Sequence, residues 1–223
     1  MDWKSAVKYR LIVRLFCLAA WAALPSAHAG GAEPPAAVLH ERLTRLAASP
    51  AELPAALRRG QAAASVCRHC HGPGGNSALP EVPNLASQNA DYLLEQMNKF
   101  VLGTRKSSDF MTGMIRALTP EERVDIALFL SRQPVAYAPA ARGSDAGRAL
   151  FGQLCAKCHG DAAAGSHRIP RLAGQQMKYL EDSLKRYRSG MGERLDPMMA
   201  AYTRNLEDTD ILALAAHLAA LRP

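Results

Sequence analysis

Cys67-Arg68-His69-Cys70-His71-Gly72 is written a second time in this chain, as Cys155-Ala156-Lys157-Cys158-His159-Gly160, 88 residues further on. Outward from these hexapeptides the correspondence continues. Pro83-Asn84-Leu85-Ala86 matches Pro170-Arg171-Leu172-Ala173, Gln88 matches Gln175, and Tyr92-Leu93 matches Tyr179-Leu180, now at an offset of 87. Phe100 corresponds to Tyr187 and Gly103 to Gly190, and the offset returns to 88 for Met111 and Met199, Leu118 and Leu206, and Leu130 and Leu218. One residue is lost in one loop and one gained in another. Two copies of this size make tandem domains rather than a solenoid. The chain is expected to divide into a targeting segment 1–29, a leader 30–54 and two modules, 55–137 and 138–223. Pro134-Val135-Ala136-Tyr137-Ala138-Pro139 reads as a short, stiff linker between the modules.

C-x-x-C-H is the attachment motif of c-type haem. Two thiols add across the haem vinyl groups as thioethers, and the two-residue spacing sets both sulfurs along one edge of the macrocycle. The adjacent histidine then falls under the iron. Cys67, Cys70, Cys155 and Cys158 are thus the candidate attachment residues, with His71 and His159 the candidate proximal ligands. Two C-x-x-C pairs can also hold zinc, but such pairs are usually about 15–20 residues apart. Here 84 residues separate Cys70 from Cys155. A thioredoxin-like redox pair would need a βαβ context, which the sequence lacks.

The sixth iron ligand separates an electron carrier from a catalyst or gas sensor, and methionine is the candidate. The first copy offers Met97, Met111 and Met114; the second offers Met177, Met191, Met198 and Met199. The repeat arbitrates. Met111 and Met199 each lie 40 residues after their histidine and seven before a matched leucine. Met97 instead aligns with Leu184, and Met177 with Ala90. Met114 and Met198 are the alternatives. His69 aligns with Lys157, and His217 with Phe129, where it is expected to pack. His40 and His167 have no partner in the repeat, and His167 is the next candidate ligand in the second copy after methionine.

The 223 residues are 48% apolar and 21% charged, a globular composition. Lys4, Lys8, Arg10 and Arg14 precede the ten-residue apolar run Leu15–Leu24, and Ala27-His28-Ala29 offers the small residues a signal peptidase reads. Ten residues are too few to span a bilayer, which takes about 20. Cleavage after Ala29 and export to the periplasm are expected. Cys17 leaves with this segment, and the formal charge of +7 falls to +4, from 23 basic and 19 acidic residues. That excess is spread over both modules as a mild docking surface, not a basic stripe, and excludes nucleic acid as a partner.

The remaining pattern is helical throughout, and the expected class is all-α. Ala55–Val66 and Ala146–Leu154 precede the cysteines, and Asp91–Leu102 and Gln175–Arg188 carry apolar residues at helical spacing. Thr119-Pro120-Glu121-Glu122 has the order of a capping box, and its partner helix starts near Glu207–Asp210. Leu39, Leu43 and Leu46 suggest a short amphipathic helix in the leader, expected to be a surface-packed or mobile element.

The ensemble resembles class I cytochrome c, and more closely the dihaem cytochrome c4 family, over about residues 57–221. The resemblance rests on Cys67-x-x-Cys70-His71-Gly72, Gly75-Asn76-Ser77, Pro83-x-Leu85-Ala86-x-Gln88, Gly103-x-Arg105 and Met111, with their second-copy counterparts. It implies two tandem haem-wrapping domains facing each other across a pseudo-twofold, with two covalent haems. It also implies a carbonyl from Pro83 and Pro170 to each haem histidine, and a propionate role for Arg105. Two departures stand out. The first copy is read as lacking the Gly147-x-x-x-Phe151 pair, having Arg59 and Ala63 there, and the second has Gly-x-Arg displaced to Gly192-Glu193-Arg194. The implied function is a periplasmic electron carrier between a respiratory donor complex and a terminal oxidase or reductase. It would take redox proteins as partners, with peripheral contact to membrane complexes and no small-molecule substrate. The alternatives are the cytochrome subunit of a periplasmic dehydrogenase, such as a flavoprotein sulfide dehydrogenase, and a dihaem peroxidase.

Overall fold

Each cysteine motif sits on a short helix between a longer helix before it and three after it. The computed structural model describes residues 33–105, 108–137, 143–190 and 196–222. The targeting segment with Cys17, Met191, and Gly192-Glu193-Arg194 lie outside the described residues. Leader helix α1 spans Ala36–Ala48. The first copy follows as α2 (Leu53–Ala63), α3 (Arg68–His71), α4 (Ala90–Val101), α5 (Asp109–Arg116) and α6 (Pro120–Ser131). The second repeats the order as α7 (Asp145–Leu154), α8 (Ala156–His159), α9 (Met177–Ser189), α10 (Pro197–Thr203) and α11 (Asp208–Ala220). Among the described residues there is no strand; Ser166 and Ile169 form an isolated bridge. None of their helices is long and apolar enough to cross a membrane.

Local chemistry starts the last helix of each copy. Thr119 Oγ1 accepts from the Glu122 N–H at 3.2 Å, and Glu122 Oε2 accepts from the Thr119 N–H at 2.8 Å, closing the expected capping box. Glu207 and Asp210 do the same for α11. The short helices α5 and α10 carry too few turns to show a period in the sequence; Ser108 and Asp196 cap them.

The first and last helices of each copy pack closely, α2 on α6 and α7 on α11. At this crossing the expectation that the first copy lacks the glycine is corrected. A Cβ on Gly147 would lie 2.0 Å from the Ala213 carbonyl oxygen, and one on Gly60 would lie 2.1 Å from that of Asp125. Gly60, not Arg59, is therefore the counterpart of Gly147. The repeat slips because Gly60 stands seven residues before Cys67 and Gly147 eight before Cys155. The aromatic follows the same register. Phe151 packs against His217, ring centroids 5.8 Å apart. In the first copy Ala64 stands at the Phe151 position and Phe129 supplies a ring from the last helix. Arg59 instead grips the buried Asp125 carboxylate with two bonds, Nε to Oδ2 at 2.6 Å and Nη2 to Oδ1 at 3.1 Å.

The leader is surface-packed, and more intimately than its sequence indicates. Leu39, Leu43 and Leu46 are 2%, 4% and 3% exposed and join the same core as Leu94, Val124 and Leu128. A 3.6-residue period puts the three leucines on one face of α1, which packs on α4 and α6. His40 Nδ1 meets Asp91 Oδ1 at 2.8 Å beside this seam. A separate core around Phe151, Leu180, Ile211 and Leu214 serves the second copy.

Candidate haem sites

In each motif the first cysteine and the histidine are one helical turn apart. The His71 N–H donates to the Cys67 carbonyl at 2.9 Å, and the His159 N–H to Cys155 at 3.0 Å. A glycine in the left-handed region ends each turn, Gly72 at φ 75° and Gly160 at φ 74°. The histidine rings are buried and held alike. His71 Nδ1 lies 2.9 Å from the Pro83 carbonyl, and His159 Nδ1 3.0 Å from that of Pro170. A carbonyl can only accept, so Nδ1 carries the proton and Nε2 keeps a free lone pair. Burial lowers the pKa of both histidines, opposed by the proline carbonyls. The rings are therefore neutral, as iron ligands must be.

The first cysteine of each motif is unsuited to be a thiolate. Burial pushes the Cys155 thiol up to about 11 and raises Cys67 as well, each next to a second thiol that adds to the shift. A thiol held protonated is a poor zinc ligand and a poor redox nucleophile. Among the described residues no three His, Cys, Asp or Glu side chains gather as a metal site.

Both motifs open on one cavity of about 830 Å³ that runs through the two copies and is largely apolar. Met111 and Met199 line it, half-buried, in identical local settings. The Met111 N–H donates to the N-cap Ser108 Oγ at 3.3 Å, and the Met199 N–H to the N-cap Asp196 Oδ1 at 3.0 Å. Each is thus the third residue of its short helix. Of the alternatives, Met114 also faces the cavity, while Met198 stands on its rim, 62% exposed. Met97 is buried in the first core and also touches the cavity. His217 packs on Phe151, as expected. His167 is 90% exposed and points to Asp91 across the copies, Nδ1 to Oδ2 3.7 Å, so the structure does not bring it to the site. Arg105 lines the cavity, its Nη1 donating to Gln96 Oε1 at 2.5 Å and its guanidinium 4.8 Å above the Phe100 ring. A neutral histidine with a free Nε2, two paired thiols and a methionine around an apolar space fit one covalently held haem in each copy.

The cytochrome c domain family matches residues 57–133 and 144–222. The chain is 32% identical over 185 residues to "Cytochrome c4" of Azotobacter vinelandii, covering 73% of this chain and 87% of that one. The chain belongs to the two-domain cytochrome c4 family. Among solved structures, reduced recombinant cytochrome c4 from Pseudomonas stutzeri superposes with a TM-score of 0.65 at 31% identity, over 73% of this chain and 97% of that one. A further relative, "Thiosulfate dehydrogenase electron acceptor" of Stutzerimonas stutzeri, is 32% identical over 70% of this chain and 79% of its own. As a cytochrome c4 the molecule carries two covalently bound c-type haems and is an electron-transfer protein rather than an enzyme, which sets the peroxidase alternative aside.

Several residues that build this cytochrome carry no chemical signature in the sequence. Asn76 ties down the linker, its Nδ2 donating to the Pro134 carbonyl at 2.9 Å and its Oδ1 accepting from the Ala136 N–H at 2.7 Å. Gln88 and Gln175 cross between the copies. Gln175 Oε1 accepts from the Asn84 N–H at 2.6 Å and its Nε2 donates to the Asn84 carbonyl at 3.0 Å. Gln88 does the same to Arg171, at 2.7 and 3.0 Å. Arg171, buried with them, donates to the Ser87 carbonyl at 3.2 Å and the Ala86 carbonyl at 2.8 Å in the other copy. For Gln88 and Gln175 the signal was the repeat itself, which pairs them; Asn76 and Arg171 face Ala164 and Asn84 in the other copy and carry no such signal.

Proposed function

We propose that this cytochrome is a periplasmic shuttle whose haems are held by Cys67, Cys70, His71 and Met111 in one domain and by Cys155, Cys158, His159 and Met199 in the other. The observation that carries the assignment is the repeated local setting: a proline carbonyl on each histidine Nδ1 and a methionine at the third position of a capped short helix, around one cavity. The haem supplies the one-electron couple; the chain supplies ligands, burial and orientation. With the haem bound, a methionine thioether as a ligand beside the histidine would favour reduced iron and raise the potential. Redox titration with optical spectroscopy tests this. Two haems per chain and a methionine-to-iron charge-transfer band in the oxidised protein support it, and bis-histidine or high-spin spectra refute it.

A respiratory donor complex and a terminal oxidase or reductase are the proposed partners. The relative named as an electron acceptor of thiosulfate dehydrogenase favours a second reading, in which a periplasmic dehydrogenase is the donor. Reduction rates with a quinol-oxidising complex and with a thiosulfate dehydrogenase, compared at equal concentration, separate the two. The targeting segment supports the periplasm; the N-terminal residue of the purified protein tests cleavage after Ala29.

A further inference from the structure

The Pro83–Asn84 peptide is engaged at both its polar ends. Its carbonyl accepts from His71 Nδ1 at 2.9 Å, and its N–H donates to Gln175 Oε1 at 2.6 Å. The Pro170–Arg171 peptide repeats this, with His159 Nδ1 at 3.0 Å on the carbonyl and Gln88 Oε1 at 2.7 Å on the N–H. Each glutamine belongs to the other copy. Its Nε2 returns to the carbonyl of the same residue it accepts from, so the amide can face only one way. Asn84, Gln88, Arg171 and Gln175 are all buried.

A peptide unit is delocalised, so a hydrogen bond accepted from its N–H moves electron density toward its oxygen. In a dry interior, bonds in series polarise one another. The Gln175 oxygen therefore makes the Pro83 carbonyl a stronger acceptor, and a stronger acceptor on Nδ1 makes Nε2 of His71 a stronger donor. A more electron-rich imidazole stabilises oxidised iron.

We propose that Gln88 and Gln175 are crossed positioning residues: each sets, through a single peptide, the ligand strength of the haem histidine in the opposite domain. The proposal rests on His71 and His159 being the axial ligands. It makes the two potentials properties of the junction between the domains, so that a partner prising that junction open shifts both. A simple fastening role predicts no such crossing.

The test uses the holoprotein, with domain-resolved haem NMR during a potentiometric titration. Gln175→Leu is expected to favour reduction of the first-copy haem about threefold, from a cooperative change of a tenth to a third of a hydrogen bond. Threefold is a rise of about 30 mV at 59 mV per tenfold for one electron. The second-copy haem should stay put. Gln88→Leu should do the reverse. The Nδ1–H resonance of the opposite histidine should move with the potential in each variant. Gln175→Asn and Gln88→Asn, which retract the amide by one methylene without adding apolar bulk, should show the same crossed pattern if a leucine variant does not fold. Equal shifts at both haems, a shift confined to the glutamine's own domain, or no shift overturns the proposal, provided the histidine–methionine spectrum is intact. A wild-type spectrum without those ligands instead overturns the ligand assignment, which distinguishes the two failures.

Discussion

Helix α7 contains two glycines for which the same substitution should have opposite effects. A Cβ on Gly147 would lie 2.0 Å from the Ala213 carbonyl oxygen and 2.5 Å from its carbon, whereas around Gly152 nothing lies within 4 Å. Relaxed carbon–oxygen contacts sit at about 3.3–3.6 Å, so Gly147→Ala is short by more than about 1 Å. The obstacle is main chain, and no rotamer change relieves it. Helix α7 must withdraw from α11 and loosen the packing of Phe151, Leu214 and Leu218. Overpacking of this kind costs about 1–3 kcal/mol, with the upper end expected here, and alanine returns about 1 kcal/mol of helix propensity. The net loss is about 2 kcal/mol, or roughly 4–8 °C in Tm for a unit of this size. Gly152→Ala meets no obstacle and should gain up to about 1 kcal/mol, or roughly 2–4 °C. Thermal unfolding of the two holoproteins, followed by far-UV circular dichroism, reads both. A Gly147→Ala protein as stable as wild type, or a Gly152→Ala protein equally damaged, would refute the close-approach argument. Gly60→Ala carries the same expectation in the first copy, and its tolerance would undo the corrected register.

Met111→Ala and Met199→Ala should each lower the potential of one haem and admit an external ligand such as imidazole; an unchanged spectrum and potential in either variant removes that methionine from the coordination sphere. Leu43→Ala, in the leader, should cost about 2–5 kcal/mol because it empties a fully packed site, seen as a lower guanidinium midpoint; a change below about 0.5 kcal/mol would show α1 to be dispensable. Burial, with Arg148 adding to it, holds the His217 pKa below its ordinary value. The folded state thus binds fewer protons than the unfolded chain at low pH, and stability is lost as pH falls below about 6.5. His217→Phe, which installs the residue that Phe129 provides in the first copy, should flatten the decline between pH 7.5 and 5.5 in denaturant titrations, and an unaltered decline would place its origin elsewhere.

Much of the candidate site was legible because it is local. The single helical turn from Cys67 to His71, the capping box at Thr119 and the methionine seven residues before a matched leucine are short-range patterns, and the repeat supplied an internal control for each. The helices α5 and α10 were not legible, being too short for a period, although their caps Ser108 and Asp196 stand in matching places. The first-copy glycine was misplaced because one residue is missing between Gly60 and Cys67, and a constant offset carried Arg59 into its position. Only the approach of α2 to the Asp125 carbonyl reveals the slip.

The sequence alone determined the class of the molecule: two haem-binding modules, their candidate attachment cysteines and ligands, and an all-α architecture. Such features depend on residues a few places apart, where covalent spacing dictates geometry. Tertiary structure decided the rest. It placed Leu39, Leu43 and Leu46 in the first core, aimed Arg59 at Asp125, turned His167 away from the cavity and crossed Gln88 and Gln175 between the domains. These contacts join residues about 50 to 90 positions apart. Which of many polar side chains meets which buried peptide group depends on how whole helices pack, and no periodicity along the chain records that.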